Sequence, residues 1–173
     1  LIETGRVRDR HSGQFRKAQL PYGSIARLLL THLNTEAISS QDPHTRKHGS
    51  IPLGKSIRTL ARAINKNGKD TRVRNSIDTQ LHNLMGSRIK LGFSEDYGHM
   101  QRIAGKQFDI ISEYDLWYSK NDSQEYLFPS YVKLGHEYFE NLKAHSIPLD
   151  KESLYALSKS PLAMDIYCWL AHR

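Results

Sequence analysis

The chain has 173 residues, 38% apolar and 25% charged, with a formal net charge of +7. That length suits one domain, or one domain and part of another, with enough core to need no disulfide or metal staple. The single cysteine, Cys168, rules out an internal disulfide and a cysteine-based zinc site, and no apolar run nears the roughly 18 residues of a membrane helix.

The basic N-terminal twenty residues lack the apolar core of a secretory signal, so a cytoplasmic protein is expected. The chain opens on Leu1 rather than Met, as a fragment of a longer protein would. Residues 1–93 hold 17 Lys/Arg against 6 Asp/Glu, a net of +11, whereas residues 94–173 hold 8 against 12, a net of −4. A polyanion would therefore meet the N-terminal half.

Residues 1–19 show no apolar period and carry Arg6, Arg8, Arg10, Arg16 and Lys17, which reads as an exposed basic arm, lying on phosphates or simply solvated. From Pro21 a helix is expected, because Ile25, Leu28, Leu29, Leu33 and Ala37 share one helical face. Residues 39–49 read as a polar loop broken by Pro43 and Gly49, followed by a short strand from Ser50 to Leu53. A second helix starts near Gly54 and buries Ile57, Leu60, Ala61 and Ile64, with Lys55, Arg58, Arg62 and Lys66 opposite. Asn67-Gly68 ends it as a turn.

A third helix opens at Asp70-Thr71, good capping residues, and closes at Gly86. Val73, Ile77, Leu81 and Leu84 form its apolar stripe, and Arg72, Asn75, Ser76, Thr79 and Asn83 lie opposite, with Gln80 flanking them. The period then changes from 3.6 to 2. Ile89, Leu91 and Phe93 alternate with Arg88, Lys90 and Gly92, and Phe108, Ile110, Tyr114, Leu116 and Tyr118 alternate with Asp109, Ile111, Glu113, Asp115 and Trp117. These are strands of a small antiparallel sheet, with Ser94 to Lys106 as its hairpin tip or wing. A polar loop, Ser119 to Asp122, follows, and Tyr126 and Phe128 continue the alternation.

A helix is expected from His136 to Lys143, a second behind the N-cap Asp150, and a last one from Leu162 to His172 behind Ser160-Pro161. The last is apolar nearly all round, with Leu162, Ile166, Trp169 and Leu170 on one side and Met164, Tyr167 and Cys168 on the other, so it wants cover on both.

Helix, short strand, helix, turn, polar-faced helix and β-hairpin make an α+β winged-helix pattern: a helical bundle with a small antiparallel sheet. Its organisation reads as a basic arm over 1–19, a winged-helix domain over 20–145, and the start of a second, truncated winged-helix module over 146–173. The third helix is the candidate reader, because Arg, Asn, Ser, Thr and Gln exchange hydrogen bonds with base edges in the major groove. The expected DNA-binding set is Arg72, Arg74, Asn75, Ser76, Thr79, Gln80 and Asn83 on this helix. Lys55, Arg58 and Arg62 are added for phosphates, and Arg88 and Lys90 at the wing.

At these residues the sequence resembles the RepA-type plasmid replication initiators, from about Pro21 to Arg173. The most specific part is SIPLDKESLYALSKSPLAMDIYCWLAHR; IARLLLTHLNTEAI followed by IPLGKSIRTLARAI resembles the family's N-terminal pattern. The hairpin around Ser94 to Gly105 departs from it. The resemblance implies two related winged-helix modules in the full protein, recognition of repeated sites at a plasmid origin, and recruitment of host replication proteins.

No enzyme is expected. His44 and His48 lack a carboxylate companion pair, the tyrosines lack the histidine pair of a rolling-circle nuclease, and no phosphate-binding glycine loop is present. Asp109, Glu113 and Asp115 read as a solvated strand face rather than a Mg²⁺ site. Neither cofactor nor metal is expected. The expected partners are double-stranded DNA and host replication proteins, with a homodimer open and no membrane. The helix pattern alone also fits a winged-helix transcriptional regulator or an initiator's dimerisation module.

Overall fold

The structure, a computed structural model, describes residues 1–8, 12–118 and 130–173, with only the backbone of Tyr97. Arg10, the loop Ser119 to Asp122, Tyr126 and Phe128 lie outside the described residues.

Among the described residues the chain opens with three short strands, β1 (Ile2–Thr4), β2 (Arg6–Arg8) and β3 (Phe15–Lys17), where a free arm was expected. β1 pairs with the base of the wing, Ile2 opposite Ile89, and β2 and β3 form a hairpin of their own. Two small side chains explain the order: Val7 and Ala18 are buried in the main core. Too few apolar residues stand in this segment to show a period, yet they suffice to anchor it.

Helix α1 (Gly23–Ser39) buries Ala26, Leu28, Leu29, Leu33 and Ala37 on one face and lies at the centre of the molecule. A six-residue helix, α2 (Pro43–His48), replaces the expected loop. Asp42 caps it by accepting from the Thr45 N–H, Pro43 opens it, and Gly49 ends it in the left-handed conformation with φ +65°. The buried Thr45 hydroxyl donates to the Ser50 carbonyl and ties α2 to the next strand, β4 (Ser50–Gly54). Helices α3 (Ile57–Ala63) and α4 (Thr71–Met85) follow as expected, capped by Ser56 and Asp70.

Strands β5 (Ser87–Tyr97) and β6 (Met100–Asp109) make a long hairpin closing at Gly98-His99. The expected tip, Ser94 to Lys106, is mostly paired strand. Cross-strand contacts carry the ladder outward: Arg102 lies over the Phe93 ring and 3.5 Å from the Glu95 carboxylate. The chain then turns at Ile110 and changes sheets, and β7 (Ile111–Asp115) pairs with β8 (Ser130–Leu134), which also pairs with β4. Because of that corner Ile110 and Ile111 are both buried, although strict alternation would put them on opposite faces. β8 was not expected, and its Ser130, Val132 and Leu134 point into the core.

Helices α5 (His136–His145), α6 (Lys151–Ala156) and α7 (Pro161–Ala171) complete the chain, with a 3₁₀ turn at Leu157–Lys159. Leu154 and Met164 join the same core as α1 and α4. Arg27 on α1 grips Asp165 on α7 with two nitrogens, at 2.7 and 2.6 Å. That hydrogen-bonded pairing holds the Asp165 carboxyl below the usual carboxylate range. Its stabilising contribution is thus present above the ordinary Asp range and is lost as pH falls through the lowered value. Leu162, Ile166, Trp169 and Leu170 remain exposed on the far side of α7.

The junction of hairpin and α4 leaves no space for a methyl group. A Cβ added at Gly86 would stand 2.5 Å from the Ala18 Cβ and 3.1 Å from a Val7 methyl, whereas at Gly92 in the wing the nearest atom is 3.9 Å away. Gly86→Ala should lower the unfolding free energy by about 1–3 kcal/mol in a urea titration. Gly92→Ala should not be destabilising beyond about 0.5 kcal/mol; equal effects would mean that the hairpin does not seat against α4.

Candidate nucleic-acid interface

α4 changes character along its length. Its 15 residues span about 22 Å. In the first half Arg72, Asn75 and Ser76 are exposed and Thr79 is half-buried; from Gln80 through Ser87 every residue is buried. Helical arithmetic places Asn75, Ser76, Thr79, Gln80 and Asn83 on one side, and the structure covers the C-terminal part of that side with residues 18–22. Gln80 and Asn83 were expected among the base readers but are only 3% and 1% exposed. Each accepts from the covering backbone: the Tyr22 N–H reaches Gln80 Oε1 at 2.9 Å, and the Gln19 N–H reaches Asn83 Oδ1 at 3.1 Å. Side-chain periodicity cannot reveal this cover, because it is made by main chain that carries no apolar signal.

The exposed half faces a groove of about 470 Å³ shared with Tyr22, Gly23, Ser24, Lys66 and Ser158. α1 begins at this groove without a side-chain cap and without an acid in its first turn. Lys66, assigned above only to the polar side of the second helix, reaches the groove by donating to the Ser158 hydroxyl at 3.0 Å. The groove wall therefore offers Asn75, Ser76 and Thr79 as hydrogen-bonding groups, with a lysine and a helix N-terminus beside them. These groups favour an anionic, hydrogen-bonding partner.

The remaining cations divide into two groups. Arg62 on α3 and Lys55 just ahead of that helix are exposed, and Arg58 is half-buried with its Nε–H lacking a partner. Arg74 turns back onto its own turn, donating to the carbonyls of Gly68 and Lys69 and to the Thr71 hydroxyl, so it braces the start of α4. At the wing, Arg88 pairs with Asp109 at 2.7 Å and Lys90 with Glu3 at 2.7 Å. The Asp109 hydrogen bond raises the Arg88 pKa above its usual value. Further out, Lys106 pairs with Glu137 and Arg102 with Glu95. Carboxylates thus meet the wing's cations within the protein, while Arg62 on α3 and Arg72 at the start of α4 are exposed.

A family model for the plasmid-encoded RepA protein matches residues 20–173. The chain belongs to the plasmid-encoded RepA protein family. Comparison with curated proteins gives no match. Among solved structures this RepA-family chain is similar to domains 2 and 3 of RctB, with a TM-score of 0.65 and 16% identity over 99% of this chain and 63% of that one. A second crystal structure of RctB domains 2–3 gives 0.55 and 14%, covering 89% and 58%. At that identity the likeness is one of fold, and it supports the α+β, winged-helix-like arrangement read from the sequence. The RepA-family chain spans about three fifths of the length of these RctB structures.

The division of α4 predicts opposite mutational behaviour on one helix side. Gln80→Ala should cost about 1–3 kcal/mol of stability, because the Tyr22 N–H loses its acceptor, and Asn83→Ala less, because it also removes the unpartnered Nδ2. Asn75→Ala should stay within about 0.5 kcal/mol. Denaturant titrations of the three variants check this, and slow exchange of the Gln19 and Tyr22 amides in the wild type should accompany it.

Proposed function

We propose that this chain is the DNA-binding module of a plasmid replication initiator, which binds repeated origin sites and helps to recruit host replication proteins. The observation that carries the reading is α4: a helix locked into the core by its C-terminal half that presents Arg72, Asn75, Ser76 and Thr79 outward, beside the cations of α3. Helix-turn-helix readers enter the major groove N-terminal half first, with base contacts made there and phosphates held by the flanking helix. Arg72, Asn75, Ser76 and Thr79 carry the base contacts in this reading. Arg58, Arg62, Lys55 and Lys66 hold the backbone, and Gln80, Asn83 and Arg74 act through the positioning of α4.

The module acts by binding rather than by catalysis, in the cytoplasm and away from the membrane. Among the described residues no helix is long and apolar enough to cross a bilayer, and no group of three His, Cys, Asp or Glu is placed to hold a metal ion. The exposed apolar side of α7 gives a homodimer partner or a host protein a surface to cover.

Two substitutions test the division of labour. Asn75→Ala should cost about 1–3 kcal/mol on the specific site and leave binding to scrambled duplex nearly intact. Arg62→Ala should weaken both duplexes alike and lower the salt slope by about one. An unchanged specificity ratio in Asn75→Ala would remove α4 as the reader. Protection of directly repeated sites in a footprint supports the initiator reading; a single inverted repeat supports a transcriptional regulator instead.

A further inference from the structure

The β2–β3 hairpin lies ahead of the residues that match the family, and its charge pattern needs an explanation. Arg6 stands opposite Lys17 and Arg8 opposite Phe15, so these four share one face of the hairpin, while Val7 on the other face is buried. Like charges directly opposite each other on paired strands are destabilising. Among the described residues no carboxylate forms an ion pair with Arg6, Arg8 or Lys17, in contrast to the four cations of the wing. Arg8 instead donates its Nε–H to the Gly13 carbonyl, which fixes the guanidinium to the hairpin. Phe15, 66% exposed, extends the same face with an apolar ring.

The hairpin is nonetheless firmly rooted. The Gly5 N–H donates to the Gly86 carbonyl at 2.7 Å and the Ala18 N–H to the Gly5 carbonyl at 3.0 Å, so its base is tied to the C-terminal end of α4. From there residues 18–22 run back along α4 to the groove at Asn75 and Thr79. The basic face thus continues the α4 surface at the end that the chain itself covers.

We propose that the β2–β3 hairpin is a second DNA-contacting element, whose Arg6, Arg8 and Lys17 hold the phosphate backbone beyond the covered end of α4. The proposal rests on the DNA-binding reading above. A duplex relieves the Arg6–Lys17 repulsion, and the three contacts add affinity without sequence preference. The hairpin lengthens the footprint of a reader whose exposed helical face is only half of α4.

The test compares the full chain with a hairpin triple variant, Arg6→Gln, Arg8→Gln and Lys17→Gln, and a remote triple of equal charge change, Lys47→Gln, Lys143→Gln and Lys151→Gln. Fluorescence anisotropy on scrambled and origin duplexes from 50 to 200 mM salt gives the slope of log K against log salt. Loss of three phosphate contacts should lower that slope by about 2.7 on both duplexes, with binding at 50 mM salt weakened about tenfold or more. The remote triple should stay within about 0.5 of the wild-type slope. The thermal midpoint of the hairpin triple should not fall, since a like-charge pair is removed. If it falls, the single variants Arg6→Gln and Lys17→Gln replace it, each expected to lower the slope by about 0.9. A hairpin variant with the wild-type slope, or a remote triple with an equal loss, overturns the hairpin assignment while leaving α4 as reader. A wild-type chain with no salt dependence overturns the DNA-binding reading itself, and the hairpin assignment with it.

Discussion

Residues 80–87, buried without interruption at the end of α4, set the terms for the rest of the molecule. A helix end enclosed on all sides has to meet its polar groups within the protein, since an unpaired buried donor or acceptor costs about 1–3 kcal/mol; of the side chains enclosed here, Asn83 leaves its Nδ2 without a partner. Gln80 and Asn83 accept main-chain N–H groups, His82 Nδ1 sits 2.8 Å from the Asp78 carbonyl, and the Ser87 hydroxyl donates to the Asn83 carbonyl. These bonds seat residues 18–22, direct the entry into α1 and set the root of the N-terminal hairpin. They also anchor the C-terminal half of α4 in the core, from which its first half projects. In the proposed function that anchoring matters, because a bidentate base contact tolerates little displacement.

Charge is distributed by the same economy of partners. Each wing cation meets a carboxylate from a neighbouring strand or helix: Arg88 with Asp109, Lys90 with Glu3, Arg102 with Glu95, Lys106 with Glu137. The wing accordingly presents Leu91, Phe93, Met100 and Ile103 to its surroundings rather than net positive charge. Arg62 on α3, Arg72 at the start of α4, and Arg6, Arg8 and Lys17 on the N-terminal hairpin are exposed. The basic excess of residues 1–93 is therefore a surface property of particular elements, and in a cleft beside a helix N-terminus it acts at short range as well as through the overall field.

Elements with a strong period were legible in the residues. Leu28, Leu29 and Leu33 place α1, Ile77, Leu81 and Leu84 place α4, and Asp70, Asp150 and Ser160 mark helix starts where the structure has them capping. What escaped depends on partners distant in sequence. Val7 and Ala18 look unremarkable among arginines until Gly86 opens a slot for them. β8 carries a readable alternation, Ser130, Val132 and Leu134, but its place between β4 and β7 follows from pairing alone. Helical arithmetic placed Asn75 and Ser76 on the side of α4 that the structure leaves exposed. Gln80 and Asn83 obeyed the same arithmetic and were nevertheless enclosed, because main-chain N–H groups of residues 19 and 22 take up their side-chain carbonyl oxygens.

In the proposed function the exposed half of α4 is the surface that meets DNA. The most direct measurement is an amide chemical-shift titration of the isotopically labelled chain with an origin duplex. The largest changes should fall on residues 66–79 and on the start of α1, with the sheet of β4, β8 and β7 unmoved. Changes concentrated on that sheet or on the exposed side of α7, with residues 71–79 unperturbed, would contradict it.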